Sequence, residues 1–176
     1  MAFMEEYKAH VAEREALGVP PLPLSAEQTA AVIEMIKSNC TDELLDLLEN
    51  RVSPGVDDAA YVKAAFLNDI IQGNVAVAAI SAEKAVKMLG TMLGGYNVKP
   101  MVDALSSGDA ATVEAAKTAL KHTLLVYDAY NDVEELHKAG NAAATEVMTS
   151  WANGEWFTSK PAIAEEITVT VFKVPG

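Results

Sequence analysis

The sequence predicts an all-α domain of stacked antiparallel helix pairs, followed by one β-strand without a partner in the chain. Three observations carry this expectation. Capped amphipathic segments succeed one another, with apolar residues three and four positions apart and short Gly-, Pro- or Asn-containing connections between them. Aromatic residues make up only 6% while Ala and Leu abound, a composition that favours packed helices. The third observation is Ile167-Thr168-Val169-Thr170-Val171-Phe172-Lys173-Val174, which alternates and is rich in β-branched residues. A strand must satisfy its backbone N–H and C=O groups on a neighbour. That neighbour is expected outside these 176 residues, in another subunit or a continuation of the chain.

The elements follow in order. A first helix runs from Ala2 to about Leu17, with Gly18 as its stop. Val19-Pro20-Pro21-Leu22-Pro23-Leu24 is a proline-stiffened connection. Ser25 with Gln28 is a capping box that opens a helix carrying Thr29, Ile33 and Ile36 on one face. Thr41 caps a short helix with Leu44, Leu45, Leu47 and Leu48, which stops near Asn50. Ser53-Pro54-Gly55 is a turn, and Asp57 caps a helix bearing Ala60, Ala64, Leu67 and Ile71 that ends at Gly73. Ser81 starts a helix whose stripe is Ala82, Ala85, Val86, Leu89 and Leu93, interrupted by Gly94-Gly95-Tyr96-Asn97. A short helix covers Met101 to Leu105. From Asp109, a stripe of Val113, Ala116, Leu120, Leu124 and Tyr127 predicts the longest helix, over four turns. Tyr130 to Lys138 continues it or starts another, stopped by Gly140, and Asn141 caps the last helix through Val147 and Trp151. Short connections make successive helices antiparallel neighbours. With no strict repeat, the stack is expected to be a degenerate, HEAT-like α-solenoid rather than a consensus one, with a compact irregular bundle as the alternative.

Composition excludes several functions. A net charge of −12 and a pI near 4.6 repel phosphate backbones, so no direct nucleic-acid partner is expected. The single cysteine, Cys40, makes no internal disulfide and cannot supply the thiolates of a structural zinc or an iron–sulfur cluster. The N-terminus lacks the basic and apolar regions of a signal peptide, and no run approaches a membrane span. A cytoplasmic location and no membrane partner are therefore expected.

No catalytic constellation emerges. Gly90-Thr91-Met92-Leu93-Gly94-Gly95-Tyr96-Asn97 is Gly-rich but follows a helix and lacks the Lys-Ser/Thr of a phosphate loop. It reads as a helix stop, or as a loop whose small residues press against another domain. His10, His122 and His137 share no metal-ligand spacing. Asp128, Asp132, Glu134 and Glu135 lack the pattern of a calcium loop, and no GxSxG elbow occurs. Trp151 and Trp156 suit either a core or an interface. The candidate domain-interface residues are Gly94, Gly95, Tyr96, Asn97, Trp151 and Trp156, with no catalytic, cofactor-binding or metal-ligating residue.

Several segments are familiar together: Glu5 to Arg14, Asn50 to Ala64, Leu89 to Val98, His122 to Leu125, Ser150 to Phe157 and Thr168 to Val174. In this order the chain resembles the N-terminal HEAT-like domain of the bacterial aconitase B family, aconitate hydratases that also dehydrate 2-methylisocitrate. The resemblance implies a helical domain over residues 1–160 and, over 161–176, a linker and strand leading into a swivelling domain. It implies a parent that isomerises citrate to isocitrate through cis-aconitate on a [4Fe–4S] cluster held by later domains. The cluster and substrate ligands of the family fall on no position present here, so no cofactor is expected in this chain. The implied role is a non-catalytic accessory domain that packs on the catalytic domains, shapes substrate access and mediates protein contacts. A second copy of the chain is a further candidate partner. The alternative is a free-standing helical adaptor without enzymatic activity.

Overall fold

The computed structural model describes residues 2–123 and 129–158, and these are all-α. The helices are α1 (Ala2–Ala16), α2 (Ala26–Ser38), α3 (Asp42–Asn50), α4 (Asp58–Ile71), α5 (Ala82–Gly90), α6 (Val98–Ala104), α7 (Ala110–Lys121), α8 (Tyr130–Lys138), α9 (Ala142–Asn153) and α10 (Glu155–Thr158). Among the described residues the one β feature is an isolated antiparallel bridge between Val77 and Ile80. The strand expected at Ile167–Val174 lies outside the described residues.

Local chemistry sets most of the helix starts. Ser25 Oγ accepts from the Gln28 amide at 3.2 Å, while Gln28 Oε1 accepts from the Ser25 amide at 3.0 Å. Thr41, Asp57, Ser81, Asp109 and Asn141 each accept from the amide three residues on. Each such bond satisfies a donor the helix leaves orphaned, and is worth about 1 kcal/mol. Ser53, hydrogen-bonded to Asp57, holds that carboxyl below its usual range, which keeps the cap ionised.

The helices pack as a row. α2 lies against α3 and α4, α4 against α5, α5 against α7, α7 against α9, and α9 against α8 and the short α10. α6 fills the angle beside α5 and α7. One apolar core runs along the row and includes Val32, Leu48, Leu67, Leu89, Met101, Leu120, Val133 and Val147, all fully buried. Asn141 ties two parts of it together, since its Nδ2 donates to the Leu105 carbonyl at the end of α6 at 3.0 Å.

Three sequence expectations shift. α7 stops at Lys121, with His122 as its C-cap, so the four-turn stripe is shorter than expected; Leu124 and Tyr127 lie outside the described residues. Leu93 is not on the α5 stripe: α5 ends at Gly90 and Leu93 is 64% exposed. Ile70, rather than Ile71, is the buried residue at the end of α4. In each case the helical period read from sequence outlasts the helix or misjudges which neighbour arrives.

Candidate functional site

The loop between α5 and α6 is held from below. Where α5 crosses α7, a Cβ on Gly90 would lie 2.9 Å from Ala119 Cβ, so only glycine permits this approach. Thr91 Oγ1 donates back to the Met88 carbonyl at 2.7 Å. Gly95 then turns the chain at φ +81°, which glycine adopts without strain. Gly94 lies under the Tyr96 ring, which would overlap any side chain placed there.

The loop is also tied to the turn before α4. The Leu93 amide donates to the Pro54 carbonyl at 2.8 Å, and Tyr96 Oη donates to the Gly55 carbonyl at 2.6 Å. The Tyr96 and Tyr61 rings pack at 4.7 Å between centroids. Burial, with Asp57 and Tyr61 beside it, pushes the Tyr96 phenol above its ordinary value, so it stays a donor. Asn97 is only 2% exposed, and its Nδ2 donates to the Leu89 and Met92 carbonyls, both at 2.9 Å. Gly94, Gly95, Tyr96 and Asn97 thus brace the loop locally and close the C-terminal end of α5.

The two tryptophans lie at the other end of the same surface. Trp151 is half-buried; its Nε1 donates to the Leu120 carbonyl at 3.0 Å and its ring stacks on Tyr130. Trp156 packs edge-on against Phe157 at 5.1 Å. A cavity of about 270 Å³ has both Asn97 and Trp156 in its lining, together with Leu93 and Thr123. A second, of about 150 Å³, lies between Trp151, Trp156, Phe157 and Lys121. The structure therefore brings Asn97, Trp151 and Trp156 to one region, although the sequence separates them widely. Leu93 and Phe157, 64% and 71% exposed, belong to this region and escaped sequence reading. Only an apolar residue directly beside a glycine pair, or beside Trp156, hinted at them.

The histidines serve locally. His10 Nε2 accepts from the Leu22 amide, His122 Nδ1 faces the Thr118 carbonyl and His137 Nδ1 faces the Thr145 hydroxyl. Among the described residues no three His, Cys, Asp or Glu side chains are grouped to hold a metal ion. With Cys40 as the one thiol of the chain, the donor set does not fit a [4Fe–4S] cluster. No helix among the described residues is long and apolar enough to cross a membrane.

Sequence reading also missed Lys63. This α4 residue is 3% exposed and its Nζ donates to the Glu49 carbonyl at 3.1 Å. It lines a groove of about 560 Å³ with Glu49, Lys84 and Lys87. Burial pulls its amine down to about 8, against the opposing pull of the Glu49 carboxylate. The unfolded chain keeps this proton until about 10.5, so between those values it binds more protons than the folded chain. Stability is therefore expected to rise with pH across that window, by on the order of 2–3 kcal/mol. Urea unfolding at about pH 7.5 and about pH 9.5 checks this, and Lys63→Met is expected to flatten the rise. An unchanged rise in that variant would assign it to other groups.

Comparison with known proteins gives a consistent result. A family model described as the aconitate B N-terminal domain matches residues 6–157. Aconitate hydratase B of Salmonella typhimurium is 55% identical over 98% of this chain, and that of Escherichia coli 54% over 98%. Aconitate hydratase B of Helicobacter pylori is 46% identical over 99% of the chain. In each case the match covers 20% of the relative, so the chain spans about a fifth of the length of the curated relatives it matches.

Proposed function

Since this chain belongs to the aconitate B N-terminal domain family, we propose that it is the non-catalytic, HEAT-like accessory domain of a longer aconitate hydratase. The observation that carries this reading is the family match across residues 6–157, combined with a fifth-length share of each relative. In this role the chain docks on the catalytic portion of the same polypeptide, where the [4Fe–4S] cluster and the citrate–isocitrate chemistry reside. It contributes packing and substrate access rather than reacting groups.

The docking surface is the loop at Gly94–Asn97 together with the end of α9 and α10. Isolated exposed apolar residues are ordinary, whereas contiguous ones mark interaction sites. Val56, Leu93, Trp156 and Phe157 are 70%, 64%, 40% and 71% exposed. The Leu93–Pro54 bond ties the loop to the turn that carries Val56, and the shared cavity joins Leu93 to Trp156. Tyr96 and Asn97 hold this surface in shape from behind.

Leu93→Asp separates docking from local stability, because the Leu93 side chain is exposed and only its amide braces the loop. In the isolated chain it should change unfolding free energy by less than about 0.5 kcal/mol. In the full-length gene product it should loosen the domain contact, raising proteolytic cleavage after α10 and lowering citrate–isocitrate turnover about tenfold, the effect of losing about 1.4 kcal/mol. Unaltered cleavage and turnover would remove this loop from the interface. Turnover by the isolated chain after iron–sulfur reconstitution would overturn the accessory reading itself.

A further inference from the structure

Lys63 differs from the other described lysines. Each of those stands within 4.0 Å of a carboxylate oxygen, from Lys8 on Glu43 to Lys138 on Glu134. Lys63 has no such ion pair among the described residues; its Nζ donates to the Glu49 backbone carbonyl. In a chain of net charge −12, the groove it lines has two further lysines in its walls, Lys84 and Lys87. Lys84 is paired with Glu49 at 2.8 Å and Lys87 with Glu83 at 2.5 Å. The groove thus presents one buried amine without an ion pair beside two cations that each hold a carboxylate.

We propose that Lys63 is a carbon dioxide acceptor, forming a carbamate that the Lys84 and Lys87 ammonium groups stabilise in the groove. The neutral Nζ lone pair attacks the carbon of CO2 and forms a C–N bond. One C–O π pair moves onto oxygen, and Nζ releases a proton to water. No oxidant or further reactant is needed. The retained N–H continues to donate to the Glu49 carbonyl, so the anchor of the side chain survives the reaction.

Three features select CO2 over larger electrophiles. A side chain only 3% exposed at the wall of a groove is reached more readily by a small uncharged molecule than by a bulky acyl donor. Attack requires the neutral amine, and burial lowers the Lys63 amine to about 8 against 10.5 ordinarily. At pH 8 its neutral fraction exceeds that of an ordinary lysine by roughly a hundredfold, which outweighs the lower nucleophilicity of a weaker base. The product is an anion, and in a poorly solvated groove it needs nearby cations, which Lys84 and Lys87 supply. Glu49 opposes it by repulsion, so Lys84 must shift from Glu49 toward the new carboxylate. The site adjoins Pro54, which lines the same groove and whose carbonyl accepts from Leu93. A switch from cation to anion here alters the charge behind the loop.

The test uses the native chain in 13C-labelled bicarbonate near pH 8, with trapping by a trialkyloxonium reagent and peptide mass spectrometry. Lys63 should carry at least about tenfold more trapped carbamate than any other lysine, given the excess of neutral amine. The double variant Lys84→Gln/Lys87→Gln keeps Lys63 and should lower its occupancy several-fold, with the circular dichroism of the native fold. Lys63→Arg should abolish the signal; if that variant fails to fold, the lysine distribution in the native chain and the double variant decide. Labelling of Lys63 no higher than that of exposed lysines in folded protein would overturn the proposal. So would unchanged Lys63 occupancy in the folded double variant.

Discussion

Asn97→Asp is expected to destabilise the domain by about 3–5 kcal/mol near neutral pH, the cost of an uncompensated buried charge. The two side chains have the same shape, so no cavity arises and the effect is electrostatic. Asn97 is 2% exposed and its amide donates to the Leu89 and Met92 carbonyls. Leu89 lies in the last turn of α5, where its carbonyl also takes the Met92 amide at 3.0 Å, and the Met92 carbonyl lies in the loop just past the helix, where no further turn follows to supply a donor. A carboxylate has no donor to offer and faces both oxygens with like charge. Since whole domains are stable by only about 5–15 kcal/mol, this loss is a large share. The sign of its pH dependence follows. Burial raises the introduced carboxyl in the folded state, so the folded chain binds the extra proton and stability is lost as pH rises through the raised value. The deficit should therefore be smaller at about pH 4.5 than at about pH 7, when each variant is compared with the parent by urea unfolding. A loss below about 1 kcal/mol at neutral pH would show that water already serves the two carbonyls.

Leu120→Ala should cost about 2–5 kcal/mol, the span seen when a buried leucine leaves a cavity. Leu120 is fully buried on α7, which packs against both α5 and α9. The close approach of Gly90 to Ala119, the residue just before Leu120, limits collapse of α5 into the space, which argues for the upper part of that range. The Leu120 carbonyl also receives Trp151 Nε1. The Trp151 environment should change with the substitution, giving a fluorescence shift in the folded state. A loss below about 0.5 kcal/mol would place Leu120 outside the core.

Most helix beginnings were legible in the chain alone. Ser25, Thr41, Asp57, Ser81, Asp109 and Asn141 cap helices by bonding amides three residues on, and such bonds depend on nothing distant. The burial of Leu67, Val86, Leu89 and Leu120 was legible for a related reason: helical spacing puts them on one stripe, and a stripe must be covered. The family was legible too, because long specific segments occur in one order. Of the candidate interface, the glycine pair and the tryptophans stood out by type, but their roles did not. Whether Asn97 faces solvent or closes α5 depends on where the chain turns after Gly95. Whether Leu93 continues a stripe or stands exposed depends on the Pro54 carbonyl, far back in the chain, which takes its amide. Lys63 reads as a surface lysine within α4, and only the arrival of α3 and α5 buries it beside Glu49, Lys84 and Lys87. Capping and periodicity are set by neighbours within one turn, which the sequence contains. Helix ends, the exposure of a loop residue and the charge of a buried amine are set by groups brought together from separate helices, and only the packed structure specifies those encounters.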